Sequence, residues 1–326
     1  MSPAKRPPRI LSGVQPSGKL HLGNYFGAIR QHIALQEEGE CFFFIADYHA
    51  LTTIQDGKEL SQNVHAVALD YLALGLDPLR TSFFRQSDVP EVTELAWVLS
   101  TVTGMGFLER AHSYKDKLAR GLAPTVGLFN YPVLMAADIL IYRSNLVPVG
   151  QDQVQHIEMT RDMAGYFNQT YGKVFPLPDY RLDRAPSVPG TDGKKMSKSY
   201  GNTIEIFAEG KALKDAVMRI VTDSTPVEAP KDPDKCNLFA LYSLFATEEE
   251  RKALAARYRA GGIGYGEVKK MLIEKIDRHF AAAREKRKKF AKDPSAVEEA
   301  LRRGAKKARD EARETMKLVR EATGLR

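Results

Sequence analysis

Apolar positions near the start of the chain switch between two spacings. RILSGVQ (9–15) and TSFFRQ (81–86) read as strands, and ECFFFIAD (40–47) is an unbroken apolar run of the kind expected of a strand buried on both faces. Between them, LGNYFGAIRQHIALQEEG (22–39) places Leu22, Tyr25, Phe26, Ile29 and Ile33 at helical spacing, and a second helix from about Lys58 to Leu74 sets Val64, Val67, Ala68 and Tyr71 on one face. The resulting βαβαβ order is half of a doubly wound parallel sheet. Such sheets take ligands at the carboxyl ends of their strands, and the loop after the first strand holds HLGN.

Residues 88–130 are mostly helical in pattern and interrupt the alternation as an insertion. A helix at 131–143, a strand at LVPVG (146–150) and a further helix then resume it, and beyond about residue 203 the pattern is wholly helical. The expected fold class is therefore α/β: a doubly wound, Rossmann-like sheet over 1–203 with a helical insertion, then an all-helical C-terminal domain over 204–326. The last helix can start with Asp293 as N-cap and Pro294 in the first turn, or with a capping box of Ser295 and Glu298. Val297, Leu301, Ala305, Ala308, Ala312, Met316 and Val319 then form one apolar stripe. That stripe must pack on something, and the first domain is a candidate.

Composition and charge narrow the classes. At 326 residues, 43% of them hydrophobic, the chain is a folded protein of one enlarged domain or two. No apolar run reaches the roughly 20 residues that span a bilayer, and MSPAKRPPR lacks the apolar centre of a signal peptide, so a cytoplasmic protein is expected. Cys41 and Cys236 are too far apart in sequence to suggest a metal cage or a disulfide framework, and Cys41, opening an apolar run, reads as an inert core thiol. The formal charge is +7, and from Ala281 to Arg326 there are 15 Lys and Arg against 8 Asp and Glu, so the whole excess sits in the tail. Such a tail is either a solvated helix face or a surface for a polyanion.

Two strings carry chemistry: PSGKLHLGNY (16–25), running from a strand into a helix, and GTDGKKMSKSYGN (190–202), a lysine-rich loop with glycines before it. Backbone amides at a helix start bind phosphate, and His21 and Asn24, one turn apart there, can donate to oxygens that gain charge. Lys195 and Lys198 flank Met196 and Ser197 in a loop able to close over a polyphosphate. Asp138 lies inside the apolar YPVLMAADILIY (131–142), where a carboxylate needs a partner if buried; a solvent-facing position or Arg143 is the plainer alternative. Lys117 and Arg110 in the insertion could also touch phosphates.

Together and in this order, the two strings resemble the HIGH-type and KMSKS signatures of class I aminoacyl-tRNA synthetases. YPVLMAADILIY and LVPVGQDQVQHIEMTRDMA (146–164) resemble the tryptophanyl branch of that class, of bacterial type, over about residue 9 to the C-terminus. The resemblance implies an ATP-dependent ligase that makes tryptophanyl-adenylate and passes the amino acid to tRNA(Trp). It also implies magnesium bridging the ATP phosphates, a homodimer, and an anticodon-binding role for 204–326. It assigns catalysis to His21, Asn24, Lys195 and Lys198. Contacts to ATP would come from Gln15, Pro16, Ser17, Gly23, Gly150, Gln151, Asp152, Val188, Met196, Ser197 and Ser199 besides Asn24 and the two lysines. Asp138 would accept the indole N–H, since an indole nitrogen is donor only. Tyr131, Met135, Val147 and Val149 would wall the ring, with His49 and Gln153 reaching the polar end of the amino acid. Leu11 stands where many bacterial members place a phenylalanine. A tyrosyl-tRNA synthetase shares the fold and both signatures and is the nearest alternative, while a non-catalytic RNA-binding paralogue would be expected to lack His21, Lys195 or Lys198.

Overall fold

The computed structural model describes residues 7–111, 121, 125–182 and 187–326. Contacts divide the chain into two units built from separate stretches. The first comprises Met1–Gly18, His32–Arg184 and Phe290–Arg326, and the second Lys19–Gln31 and Ala185–Lys289. This division does not follow one cut near residue 203: HLGN groups with the lysine loop, and the last helix groups with the sheet.

In the first unit, β1 (Arg9–Val14), β2 (Glu40–Ile45), β3 (Thr81–Arg85), β4 (Leu146–Val149) and β5 (Asp179–Leu182) form one parallel sheet in the order β3-β2-β1-β4-β5. This is the doubly wound arrangement that the alternation predicts. Helices α1 (Gly57–Leu74), α2 (Glu91–Val102), α3 (Tyr131–Ile141) and α4 (Val154–Tyr171) accompany it. β5 is absent from the sequence reading for a physical reason. Its residues DYRL are all at least partly exposed, so this edge strand exists through backbone pairing with β4 rather than through apolar burial.

The last helix, α5 (Pro294–Thr323), starts as the first alternative expects: the Asp293 carboxylate accepts from the Ala296 amide at 3.3 Å. The capping box is not made, because Ser295 Oγ turns to Asp293 and Glu298 pairs with Arg85 at 2.8 Å. The apolar stripe is buried except for Ala305, which is half-buried, and Ala300, Gly304 and Thr315 complete the buried face. That face lies along β3, the end strand of the sheet, and so covers an edge that would otherwise offer unpaired backbone groups. Cys41 is fully buried in β2 and burial pushes its thiol up to about 12, in keeping with an inert core residue.

In the second unit the segment after His21 begins as a helical turn, Leu22–Asn24, and widens to a π turn over Tyr25–Ile29. Tyr25 Oη lies 3.0 Å from His279 Nε2 on the long helix Tyr265–Lys292, and Phe26, Phe245 and Phe280 close around the pair edge to face. The remaining helices, Gly210–Met218, Asn237–Ser243 and Glu248–Ala260, carry no strand between them, as the helical pattern after the lysine loop predicts. Among the described residues no helix is long and apolar enough to cross a membrane.

Candidate active site

In the first unit the sheet reverses its winding between β1 and β4. The two strands pair at Ile10 and Leu146, and Pro148 has no N–H with which to extend the ladder. A gap between the carboxyl ends of two such strands is the ligand crevice of a doubly wound sheet. The chain leaves β1 through Gln15, Pro16 and Ser17, turning with the Ser17 N–H donating a hydrogen bond to the Gln15 carbonyl at 2.9 Å. It leaves β4 through Gly150 into the 3-10 turn Gln151–Gln153. Gln15 is exposed, with its Nε2 3.5 Å from Tyr131 Oη. The side chain of Asp152 lies outside the described residues.

α3 and β4 supply the residues expected around the aromatic ring. Val147 and Val149 are buried, Tyr131 and Met135 half-buried, and Leu11 is buried in the core with Phe42. Asp138 is 2% exposed, so it faces neither solvent nor Arg143, which is exposed. Its Oδ2 lies 2.9 Å from His49 Nε2, and both of its oxygens lie 2.9 Å from Gln86 Nε2. His49 in turn sits against Tyr131, ring centres 4.4 Å apart, and its Nδ1 is buried without a partner. Burial pushes the Asp138 carboxyl above the usual range, and the bonds from His49 and Gln86 oppose that shift. His49, expected at the polar end of a ligand, therefore directs one ring nitrogen at Asp138. Gln86 was invisible to motif reading; it opens a 3-10 turn after β3 and has no marker in its spacing.

In the second unit the two signature strings meet. His21 and Glu205 form an antiparallel bridge, and the Leu22 amide donates to the Ile204 carbonyl at 3.0 Å. The Gly23 amide points at Met196 Sδ, 3.4 Å away, which brings the centre of the lysine loop onto the start of the helix. A Cβ on Gly23 would stand 2.9 Å from His21 Nδ1, so the imidazole packs where only glycine leaves room. Asn24 Oδ1 accepts from the His21 amide at 3.0 Å. His21 is buried, its Nδ1 has no partner, and burial together with the Lys198 charge pushes its pKa down to about 4. It is a neutral imidazole at pH 7, able to donate one hydrogen bond.

The lysine loop is shaped from inside by Asn202, another residue that motif reading did not assign. Its Oδ1 accepts from the Ser197 amide at 2.8 Å, and its Nδ2 donates to Asp192 at 2.7 Å and to the Lys195 carbonyl at 3.2 Å. Val188 is buried under the loop, its carbonyl accepting from the Met196 amide at 2.9 Å. Lys195 and Ser199 remain exposed, Lys198 and Ser197 half-buried. Among the described residues no group of three or more His, Cys, Asp or Glu could hold a metal ion.

The charged tail is largely engaged. Arg302 and Arg303 face Glu299, Lys306 pairs with Asp310, Lys307 with Glu40 at 2.9 Å, and Arg309 and Arg313 with Glu91. In the insertion Arg110 stacks on Phe107, and Lys117 lies outside the described residues.

The chain as a whole is similar to proteins of known family. The sequence profile of class I tRNA synthetases (W and Y) matches residues 3–281. A tryptophan–tRNA ligase of Rhodopirellula baltica is 56% identical over 98% of this chain and all of its own length, and one of Fusobacterium nucleatum is 53% identical over 97% and 98%. The crystal structure of tryptophanyl-tRNA synthetase from Campylobacter jejuni, complexed with ADP and tryptophan, superposes with a TM-score of 0.93 at 52% identity, covering 97% of this chain and all of that one. The chain belongs to the class I tRNA synthetase family, in its tryptophan–tRNA ligase branch.

Proposed function

We propose that this chain activates L-tryptophan with ATP and transfers the tryptophanyl group to tRNA(Trp). The observation that carries the reading is the buried carboxylate of Asp138 beside Gln86 and His49, because a carboxylate accepts hydrogen bonds and an indole N–H can only donate one. In the first step a tryptophan carboxylate oxygen attacks the α-phosphorus and pyrophosphate leaves. In the second, a hydroxyl at the tRNA 3′ end attacks the activated carbonyl and AMP leaves.

In this reading Gln15, Pro16, Ser17, Gly150, Gln151, Asp152 and Val188 border the nucleotide. The neutral His21, Asn24 and the Gly23 amide receive its phosphates. Lys195 and Lys198 stabilise the charge that moves onto pyrophosphate, which is worth most if the contact forms only in the transition state. Met196 Sδ holds the Gly23 amide in the meantime. Magnesium would come with the nucleotide as part of the substrate and would supply positive charge to its phosphates, for which oxygen ligands from the nucleotide and water suffice. The helical part after residue 203 meets tRNA, and the protein works as a cytoplasmic homodimer. The exposed Trp97, Met105 and Val126 of the insertion are apolar surface suited to a partner subunit.

The test is pyrophosphate exchange with each amino acid in turn. Exchange that depends on tryptophan and not on tyrosine is the expected result, and exchange driven by tyrosine would replace the reading.

A further inference from the structure

Gln86 is 1% exposed, and all of its hydrogen-bonding capacity is committed. Its Oε1 accepts from the backbone amides of Tyr48 at 3.1 Å and His49 at 3.4 Å. Amides only donate, so the opposite end of the side chain must be the nitrogen, and it faces both oxygens of Asp138 at 2.9 Å. Turning the side chain over would set donors against donors and an oxygen against a carboxylate. The backbone of residues 48 and 49 therefore determines which way Gln86 points, and Gln86 determines what Asp138 meets.

Among the described residues no Lys or Arg bonds to Asp138; its partners there are Gln86 and His49, and the Asp47 carboxylate nearby acts against its charge. A carboxyl group that lost the Gln86 donor would rotate or take up a proton, and a protonated acid presents a donor of its own. An indole N–H then gains little. An amino acid of the same shape without that N–H would no longer be penalised for leaving the carboxylate unpaired.

We propose that Gln86 is a specificity-determining positioning residue, which holds Asp138 as a pure acceptor and so makes the pocket demand a ring N–H. The inference rests on the reading of Asp138 as the indole acceptor. A site built around a buried polar group rejects ligands that lack its partner far more strongly than it separates ligands by size.

The probe is β-(3-benzothienyl)alanine, which has the shape of tryptophan with sulfur in place of the N–H. Pyrophosphate exchange measured with both amino acids gives the ratio of kcat/KM for tryptophan over the analogue. Gln86→Met should lower that ratio by about tenfold or more with the KM for ATP little changed. Gln86→Glu keeps the acceptor toward Tyr48 and His49 and should lower it likewise, which guards against a folding defect in the first variant. In an Asp138→Asn background neither change should lower the ratio further. Equal losses for both amino acids in the Gln86 variants would overturn the proposal and leave Gln86 a packing residue. If Asp138→Asn itself leaves the ratio intact, the indole reading fails; if it removes the ratio while the Gln86 variants retain it, only the role of Gln86 fails.

Discussion

Gly304 in α5 lies against the backbone of Phe83 in β3: a Cβ built there would stand 2.0 Å from the Phe83 carbonyl oxygen and 2.5 Å from its nitrogen. Alanine in a helix is ordinarily favoured over glycine by about 1 kcal/mol. Here the added methyl meets main chain that cannot rotate away, and overpacking of that kind costs about 1–3 kcal/mol. Gly304→Ala should therefore lower the unfolding midpoint in urea or on heating. A midpoint equal to or above that of the wild type would mean that α5 stands off the strand.

Asp138→Asn should weaken tryptophan selectively. One amide oxygen cannot serve Gln86, His49 and a ligand as two carboxylate oxygens do, and its nitrogen opposes their donors. A hydrogen bond to a charged group contributes about 1.5–3 kcal/mol, so kcat/KM for tryptophan should fall by about ten- to a hundredfold with ATP binding nearly intact. An unchanged value removes Asp138 from the pocket.

Lys195→Ala and Lys198→Ala should reduce the adenylation rate much more than they raise the dissociation constant for ATP. Single-turnover rates and equilibrium binding, measured on the same preparations, separate the two effects. Loss of ground-state affinity with the rate retained would contradict a loop that grips the transition state.

Arg302, Arg303, Lys306 and Lys307 are partnered within the protein, yet exposed pairs contribute only about 0–1 kcal/mol and a phosphate backbone can compete for them. Changing all four to Gln should reduce tRNA affinity and flatten its dependence on salt, with tRNA-free pyrophosphate exchange preserved. An unaltered salt slope in the folded variant would assign these charges to a solvated face.

His32 is buried with Nε2 2.9 Å from Ser12 Oγ and Nδ1 3.1 Å from Tyr71 Oη, and burial pushes its pKa down to about 4. The unfolded histidine titrates near 6.5, so between about pH 6.5 and 4 the unfolded chain binds a proton that the folded one refuses. Stability from this group is complete above pH 6.5 and declines as pH falls through that window, by about 2 kcal/mol between pH 7.5 and 5. His21 acts in the same direction. Urea unfolding at the two pH values should show a smaller decline for His32→Asn than for the wild type, and equal declines would mean that His32 charges in the folded state.

The sheet class, the two strings around His21 and Lys195 and the need of Asp138 for a partner were all legible along the chain. Each depends on neighbours within a few residues: the apolar run of β2, the helix stripe of α5, the closeness of His21 to Asn24, or an acid set among apolar side chains. Periodicity records which face of an element is buried, and it says nothing of what that face meets.

What the stripe of α5 covers is the edge of β3, some 220 residues away, and only a fold decides that Gly304 must lack a Cβ there. β5 carries no apolar signal because its register with β4 is a matter of backbone amides. The surroundings of Asp138 come from three separate segments, with Gln86 and His49 reaching it over 52 and 89 residues. Met196 reaches the Gly23 amide over 173. Hydrogen-bond donors and acceptors have no periodicity of their own, so the sequence determined which groups had to be satisfied, and the packing of distant elements decided which atoms satisfied them.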